Sequence, residues 1–173
     1  MNQKAYLIFS IDDHLFALPV TDVAHIIRAA AITPLADAPD LVTGILNMGG
    51  QFIPVINIRR QFHLPQKPLQ VSDRFIIAGA YGFTVAFIAD TVEGVAELSL
   101  KPFTASGELL PDDIVSGDFL SSDLFPGLEK FIMGVSRIDN RTVLIYDITT
   151  LFPEEDIRIA ADALTFNQIE EPA

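Results

Sequence analysis

Four times in 173 residues the chain runs apolar for four to eight residues, breaks on two or three turn-forming residues, and runs apolar again. Tyr6 to Ile11 and Leu15 to Val20 flank Asp12-Asp13-His14. Ile45 to Met48 and Phe52 to Ile56 flank Gly49-Gly50. Phe75 to Ala80 and Phe83 to Ala89 flank Tyr81-Gly82. Phe131 to Ile138 and Thr142 to Tyr146 flank Asp139-Asn140-Arg141. Short Asp and Asn side chains stabilise turn backbones, and adjacent glycines accept the positive φ angles of a tight hairpin. Strands this short, evenly spaced and joined by hairpins predict a barrel or sandwich rather than βαβ units.

Helical signals are brief. Thr21 reads as the cap of a single turn over Asp22 to Ile27, with Val23, Ile26 and Ile27 inward. Thr149 to Phe152 reads as a second turn, stopped by Pro153. Pro153 and the acidic Glu154, Glu155 and Asp156 then suit the start of a real helix. Its apolar stripe is Ile157, Ala160, Ala161 and Leu164, and fraying is expected after Phe166. Pro54 has no N–H for a ladder, which predicts an edge strand or a bulge there. Leu64 to Pro68 reads as a loop. Residues 101–127, rich in Pro and Gly, read as a linker between lobes or as unresolved strands. A loose echo follows three apolar runs: Pro19-Val20-Thr21, Asp90-Thr91-Val92 and Asp147-Ile148-Thr149.

Composition removes whole classes of function. There is no cysteine, so thiol catalysis, disulfides, iron–sulfur clusters and Cys-ligated zinc are excluded. The formal net charge of −12 opposes binding to nucleic acid and to anionic membrane surfaces. No apolar run approaches the ~20 residues that cross a bilayer. The opening Met1-Asn2-Gln3-Lys4 leads straight into a strand, so a cytoplasmic location is expected.

A search for chemistry returns little. There is no phosphate-binding loop, dinucleotide fingerprint or nucleophile elbow. His14, His25 and His63 do not share metal-ligand spacing, and no cofactor is expected. Adjacent carboxylates such as Asp12-Asp13 and Glu154-Glu155 do not converge on one bond when they lie on a strand. Arg59-Arg60 reads equally as a receptor for a partner's carboxylate and as a local pair.

One stretch is more specific. Gly44-Ile45-Leu46-Asn47-Met48-Gly49-Gly50 followed by Phe52-Ile53-Pro54-Val55-Ile56-Asn57-Ile58-Arg59 resembles the signature of the CheW-like domain family. Tyr6 to Val20 with Val23 and Ile26 resembles its opening hairpin and turn. Ile88-Ala89-Asp90-Thr91-Val92 with Val95 and Leu98 resembles its "apolar-apolar-Asp-x-Val" segment, and Leu144 to Ile148 with Leu151 its closing strand and turn. The resemblance spans residues 4–152, leaving 153–173 as a C-terminal helix and acidic tail.

That resemblance implies an all-β fold of two small five-stranded SH3-like β-barrels packed together, with short helical turns and a C-terminal helix. It implies a non-catalytic adaptor coupling a chemoreceptor's cytoplasmic tip to a CheA-type histidine kinase, with no small-molecule substrate. Val23, Ile26, Gly44 and Val95 match positions at or near the family's receptor or kinase contacts. The chain departs from the family at Gly49, where an Arg is usual, at His25, where many members carry an acid, and at Asn57, where Asp is usual. His25 and Gly49 are expected on one surface, altered for a different partner, for example in a pathway controlling surface motility. Two alternatives stay open: a small β-barrel enzyme using the strand-end carboxylates Asp90 and Asp147, and a stand-alone module that recruits or blocks another regulator.

Overall fold

The structure, a computed structural model, describes residues 4–36, 38, 40–99 and 133–170. Ten strands, β1 (Lys4–Ile11), β2 (His14–Pro19), β3 (Val23–Arg28), β4 (Val42–Met48), β5 (Gln51–Ile56), β6 (Arg74–Ala80), β7 (Phe83–Ala89), β8 (Thr91–Leu98), β9 (Gly134–Ile138) and β10 (Arg141–Ile145), form two five-stranded sheets. One has the order β8-β1-β2-β10-β9 and the other β3-β6-β7-β5-β4. All four expected hairpins are present, each closed by two residues with positive φ: Asp12 and Asp13, Gly49 and Gly50, Tyr81 and Gly82, Asp139 and Asn140. That backbone matches the right-handed twist of the flanking strands. His14 and Arg141, read from sequence as turn residues, instead begin β2 and β10.

The sheets share one plan. Each has a central hairpin, β1-β2 or β6-β7, with a parallel neighbour on one side, β10 or β5, that carries its own hairpin mate. The outer strand on the other side is exchanged. β3 follows β2 but pairs with β6, and β8 follows β7 but pairs with β1. Two members of the threefold sequence echo, at residues 19–21 and 90–92, mark these two crossings between sheets.

Burial follows from the alternation of side chains along a strand. On β1, Tyr6 and Ile8 enter a core that, among the described residues, is built from the first sheet, with Leu15, Ala17, Val143 and Ile145. Leu7 and Phe9 enter a core shared by both sheets. On β6, Phe75 and Ile77 enter the second sheet's own core with Leu46, Ile53 and Ala86, while Ile76 and Ala78 enter the shared one. Strands buried on both faces explain the unbroken apolar runs. A sheet with a private core on one face must curl around it, which gives the barrel form. The second sheet also meets itself: Thr33, beyond β3, exchanges hydrogen bonds of 2.8 and 2.9 Å with Ile45 of β4. In the shared core the ring of Phe16 stacks on Phe62 at 4.8 Å, and Phe9 meets Phe87 at 5.6 Å. Each such buried ring contributes about 1.5–3 kcal/mol.

Two expectations are corrected. Residues 22–27 are not a helical turn: a single 3-10 turn at Val20–Asp22 leads into β3. Val23, Ile26 and Ile27 fit helical spacing, but pairing with β6 decides the outcome. On a strand Ile26 and Ile27 point to opposite faces, so Ile27 packs on the second sheet's own core and Ile26 is 41% exposed. Pro54 lies on neither an edge strand nor a bulge, for β5 sits between β7 and β4. Opposite Pro54, Ile45 turns its own backbone groups toward Thr33, so no bond from position 54 is needed on the β4 side. On the other side the ladder with β7 begins only at Val55.

The short helix α1 (Ile58–Gln61) is capped by Asn57, whose side chain accepts from the Arg60 N–H at 3.1 Å. α2 (Ile148–Leu151) ends before Pro153 as expected. α3 (Glu154–Glu170) buries Ile157 and Ala160 in the shared core and runs beyond Phe166, where fraying was expected. Leu64 to Pro68 carries no regular structure. Residues 101–127 lie outside the described residues.

Candidate functional site: two outer strands and a buried ionic node

Of the six candidate contact positions, the four matched to family contacts and the two departures, three fall on β3. Val23 is half-buried and packs on the shared core, and His25 is exposed, as is Ile26. Gly44 lies in the same cross-strand row as His25, through Ile77, Ala86 and Val55, but on the opposite edge strand. It is buried, and a Cβ there would stand 2.5 Å from the Thr33 carbonyl oxygen. The close approach that joins β4 to residue 33 therefore requires glycine at this position. Gly49 is exposed at the tip of the β4–β5 hairpin with φ +62°.

Val95 is on β8, in the other sheet, and is 63% exposed. It is therefore a surface residue rather than a core one. Its exposed neighbours along β8 are Glu93 and Glu97, and Arg141 donates to Glu93 at 3.3 Å. Val95 and the β3 group thus lie on different sheets. The two places have the same standing in the fold: each is on an exchanged outer strand, and each presents a β-branched side chain to solvent.

A second constellation lies where the chain crosses from β7 to β8. The Arg59 guanidinium, carried by α1, binds Asp12 of the β1–β2 turn through two bonds of 2.8 and 2.9 Å. Its Nη2 also lies 2.9 Å from both carboxylate oxygens of Asp90. Asp90 accepts from the Asp12 N–H at 2.9 Å as well, and Lys67 stands 3.6 Å away. Burial alone would raise the Asp90 carboxyl. The hydrogen bonds from Asp12 and Arg59 and the charges of Arg59 and Lys67 outweigh it and hold the group below the ordinary carboxylate range. Burial likewise opposes the charge on Arg59, and its two carboxylate partners raise it above the ordinary value.

Arg59 is thus satisfied within the chain, and Arg60 pairs locally with Asp40 at 3.1 Å. Sequence reading weighed the Arg59-Arg60 spot and Asp90 separately and did not join them. The available signal was that Arg59 and Asp90 each sit at a fixed place in a quoted motif. As for catalysis, an Asp90 held ionised by Arg59 is a poor general acid. Asp147 belongs to different surroundings, at the start of α2, where it accepts from the Thr149 hydroxyl at 2.5 Å. Nearby, burial raises the Asp22 carboxyl, a bond from the Ile148 N–H partly offsets this, and the Asp147 charge adds to it. Among the described residues no cluster of His, Asp and Glu could hold a metal, and no helix is long and apolar enough to cross a membrane.

Comparison with known proteins agrees with this architecture. A sequence profile described as the CheW-like domain matches residues 5–156. A chemotaxis protein CheW of Treponema pallidum is 25% identical over 158 residues, covering 89% of this chain and 85% of that one. Another, from Thermotoga maritima, is 24% identical over 152 residues, covering 88% and 89%. The crystal structure of a scaffolding protein, TtCheW of Thermoanaerobacter tengcongensis, superposes with a TM-score of 0.68 at 22% identity, over 90% of this chain and 96% of that one. These relatives are chemotaxis and scaffolding proteins, in line with the absence of a catalytic constellation among the described residues.

Proposed function

This chain belongs to the CheW-like domain family, and from that premise we propose that it is a non-catalytic adaptor coupling a chemoreceptor's cytoplasmic tip to a CheA-type histidine kinase. The observation that carries the proposal is the exposure of Ile26 and Val95. Both lie on outer strands, at positions the sequence aligns with the family's contacts, and both are apolar side chains held in solvent. Apolar groups of this kind carry affinity when a partner desolvates them. The adaptor works in the cytoplasm, recruited to receptor arrays. Its contact set is Val23, His25, Ile26, Gly49 and Val95, with Gly44 supporting the strand beneath.

Pull-down from native cytoplasm with the wild-type chain tests this. Recovery of a CheA-type kinase supports the adaptor reading, and recovery of neither kinase nor receptor contradicts it. The departures at His25 and Gly49 favour a second reading, in which the module recruits a different regulator, for example in surface motility. Restoring the family residue by Gly49→Arg returns a strong donor to an open surface, since nothing lies within 4 Å of a Cβ there. A change in the proteins recovered supports an altered surface. Identical recovery places His25 and Gly49 outside the contact.

A further inference from the structure

Val95 and Ile26 are displayed by the same local feature. On β8 the pairing with β1 slips between Ile8 and Phe9: Phe9 faces Val92 and Ile8 faces Gly94, so Glu93 is an extra residue. On β3 the pairing with β6 slips between Val23, opposite Ala78, and His25, opposite Ile77, so Ala24 is extra. Each slip is a β-bulge, and each extra residue is exposed. Beside Glu93, Gly94 takes φ +127°, a backbone region that suits glycine.

One extra residue puts side chains three apart on the same face of the sheet. Val92 and Val95 thus share the face of Phe9 and Leu7, and Val23 and Ile26 share that of Ala78 and Ile76. All four inner partners are buried in the shared core. Before each bulge the outer strand packs there too, Val92 opposite Phe9 and Val23 opposite Ala78. After each bulge it does not. Leu7 is 2% exposed and Val95, directly opposite, 63%; Ile76 is 0% exposed and Ile26 41%. On the other face the strands stay covered past the bulge, with Ala96 packed on the first sheet's own core and Ile27 on the second's. A bulge bends its strand and increases its twist. Here it turns each outer strand toward its own barrel and away from the shared core.

We infer that the two bulges are positioning devices for the partner contacts: the extra residues Glu93 and Ala24 lift Val95 and Ile26 off the shared core and into a partner's reach. The partner half of this inference rests on the adaptor reading, and the display half rests on the pairing and burial alone. Glu93 and Ala24 act through their neighbours and need touch no partner themselves. Deleting either one leaves a regular ladder that keeps every inward pair, Val92 with Phe9 and Val95 with Leu7, or Val23 with Ala78 and Ile26 with Ile76. The deletions are therefore expected to fold, with a straighter outer strand lying closer to the shared core.

Methyl NMR of the full-length protein with a soluble gadolinium chelate reads side-chain exposure without any partner. Deleting Glu93 should lower the paramagnetic relaxation of the Val95 methyls toward that of Val92, and deleting Ala24 should lower that of the Ile26 methyls. Affinity for a purified CheA-type kinase should fall about tenfold in each deletion. Glu93→Ala removes the charge and the bond from Arg141 but keeps the bulge, and should leave both readings near wild type. Unchanged methyl relaxation or unchanged affinity in a folded deletion would overturn the inference. So would an equal loss in Glu93→Ala, which would assign the effect to charge. Failure of both deletions to fold would also overturn it, making the bulges requirements of the barrels rather than of display. Lowered relaxation together with no kinase binding by wild type would support the display role and contradict the adaptor reading.

Discussion

The Nη2 of Arg59 lies 2.9 Å from each carboxylate oxygen of Asp90, and this contact ties the end of one sheet to the crossing into the other. The guanidinium is mostly buried, and its remaining bonds hold Asp12 and the Pro65 carbonyl, so the node fastens the β1–β2 turn to α1 as well. Removing one partner leaves the other with a single, weaker counter-charge: Asp12 for Arg59, or Lys67 at 3.6 Å for Asp90. Arg59→Ala and Asp90→Asn should each cost about 2 kcal/mol of stability, and the double variant less than the sum, with a coupling of about 1 kcal/mol. Urea unfolding of the four proteins measures this. Strict additivity would show that the ion pair contributes nothing beyond its parts.

The same pair sets a pH dependence. The folded-state value of Asp90 is depressed below its unfolded value of about 3.9. The unfolded chain therefore binds the proton first as pH falls. The stabilisation is complete above about pH 4 to 5 and is lost as pH drops through the depressed folded value. Asp22 is shifted the other way, and its contribution is present at low pH and lost as pH rises through its raised folded value. The difference in stability between wild type and Asp90→Asn isolates the first effect. It should be constant from pH 7 to about pH 5 and shrink below about pH 4. A difference that grows on acidification would contradict the sign.

Glycines at 44, 49 and 50 are needed for different reasons, and substitution separates them. At Gly44 a methyl meets the Thr33 carbonyl oxygen at 2.5 Å, so Gly44→Ala must push apart the bridge that joins residue 33 to β4. A cost of about 2–3 kcal/mol is expected. At Gly49 the space is open and only the φ of +62° is strained for alanine, so Gly49→Ala should cost about 1 kcal/mol. At Gly50, with φ +91°, a β-branched side chain is worse, and Gly50→Val should cost about 1–3 kcal/mol. Thermal melts rank the three. Equal melting temperatures for Gly44→Ala and Gly49→Ala would remove the distinction between crowding and backbone strain.

The hairpins were legible because Asp-Asp, Gly-Gly and Asp-Asn state their backbone needs locally. The two-sided burial of β1 and β6 was not read from the sequence, although their unbroken apolar runs carried the signal. β3 was not legible, because Val23, Ile26 and Ile27 satisfy a helical spacing and only the distant β6 decides between the two forms. Pro54 misled for a related reason: whether a missing N–H matters depends on which neighbour the backbone faces. At the candidate site, the resemblance pointed to Val95, and the structure places that side chain in solvent. Gly44 was marked as a contact although its crowding by Thr33 gives it a packing role. The Arg59–Asp12–Asp90 node joins positions 47 and 31 residues apart, which no local pattern reveals.

The adaptor reading rests on the outward faces of β3 and β8. Val95→Glu and Ile26→Glu each place a charge in the centre of a contact that must be desolvated, on side chains that are 63% and 41% exposed. Both variants should keep a melting temperature near that of wild type. The direct measurement is the affinity of wild type and the two variants for a purified CheA-type kinase, by calorimetry. The account predicts saturable binding by wild type and at least a tenfold loss, about 1.4 kcal/mol, for each folded variant. Unchanged affinity in a folded Val95→Glu protein, or no binding by wild type, would contradict it.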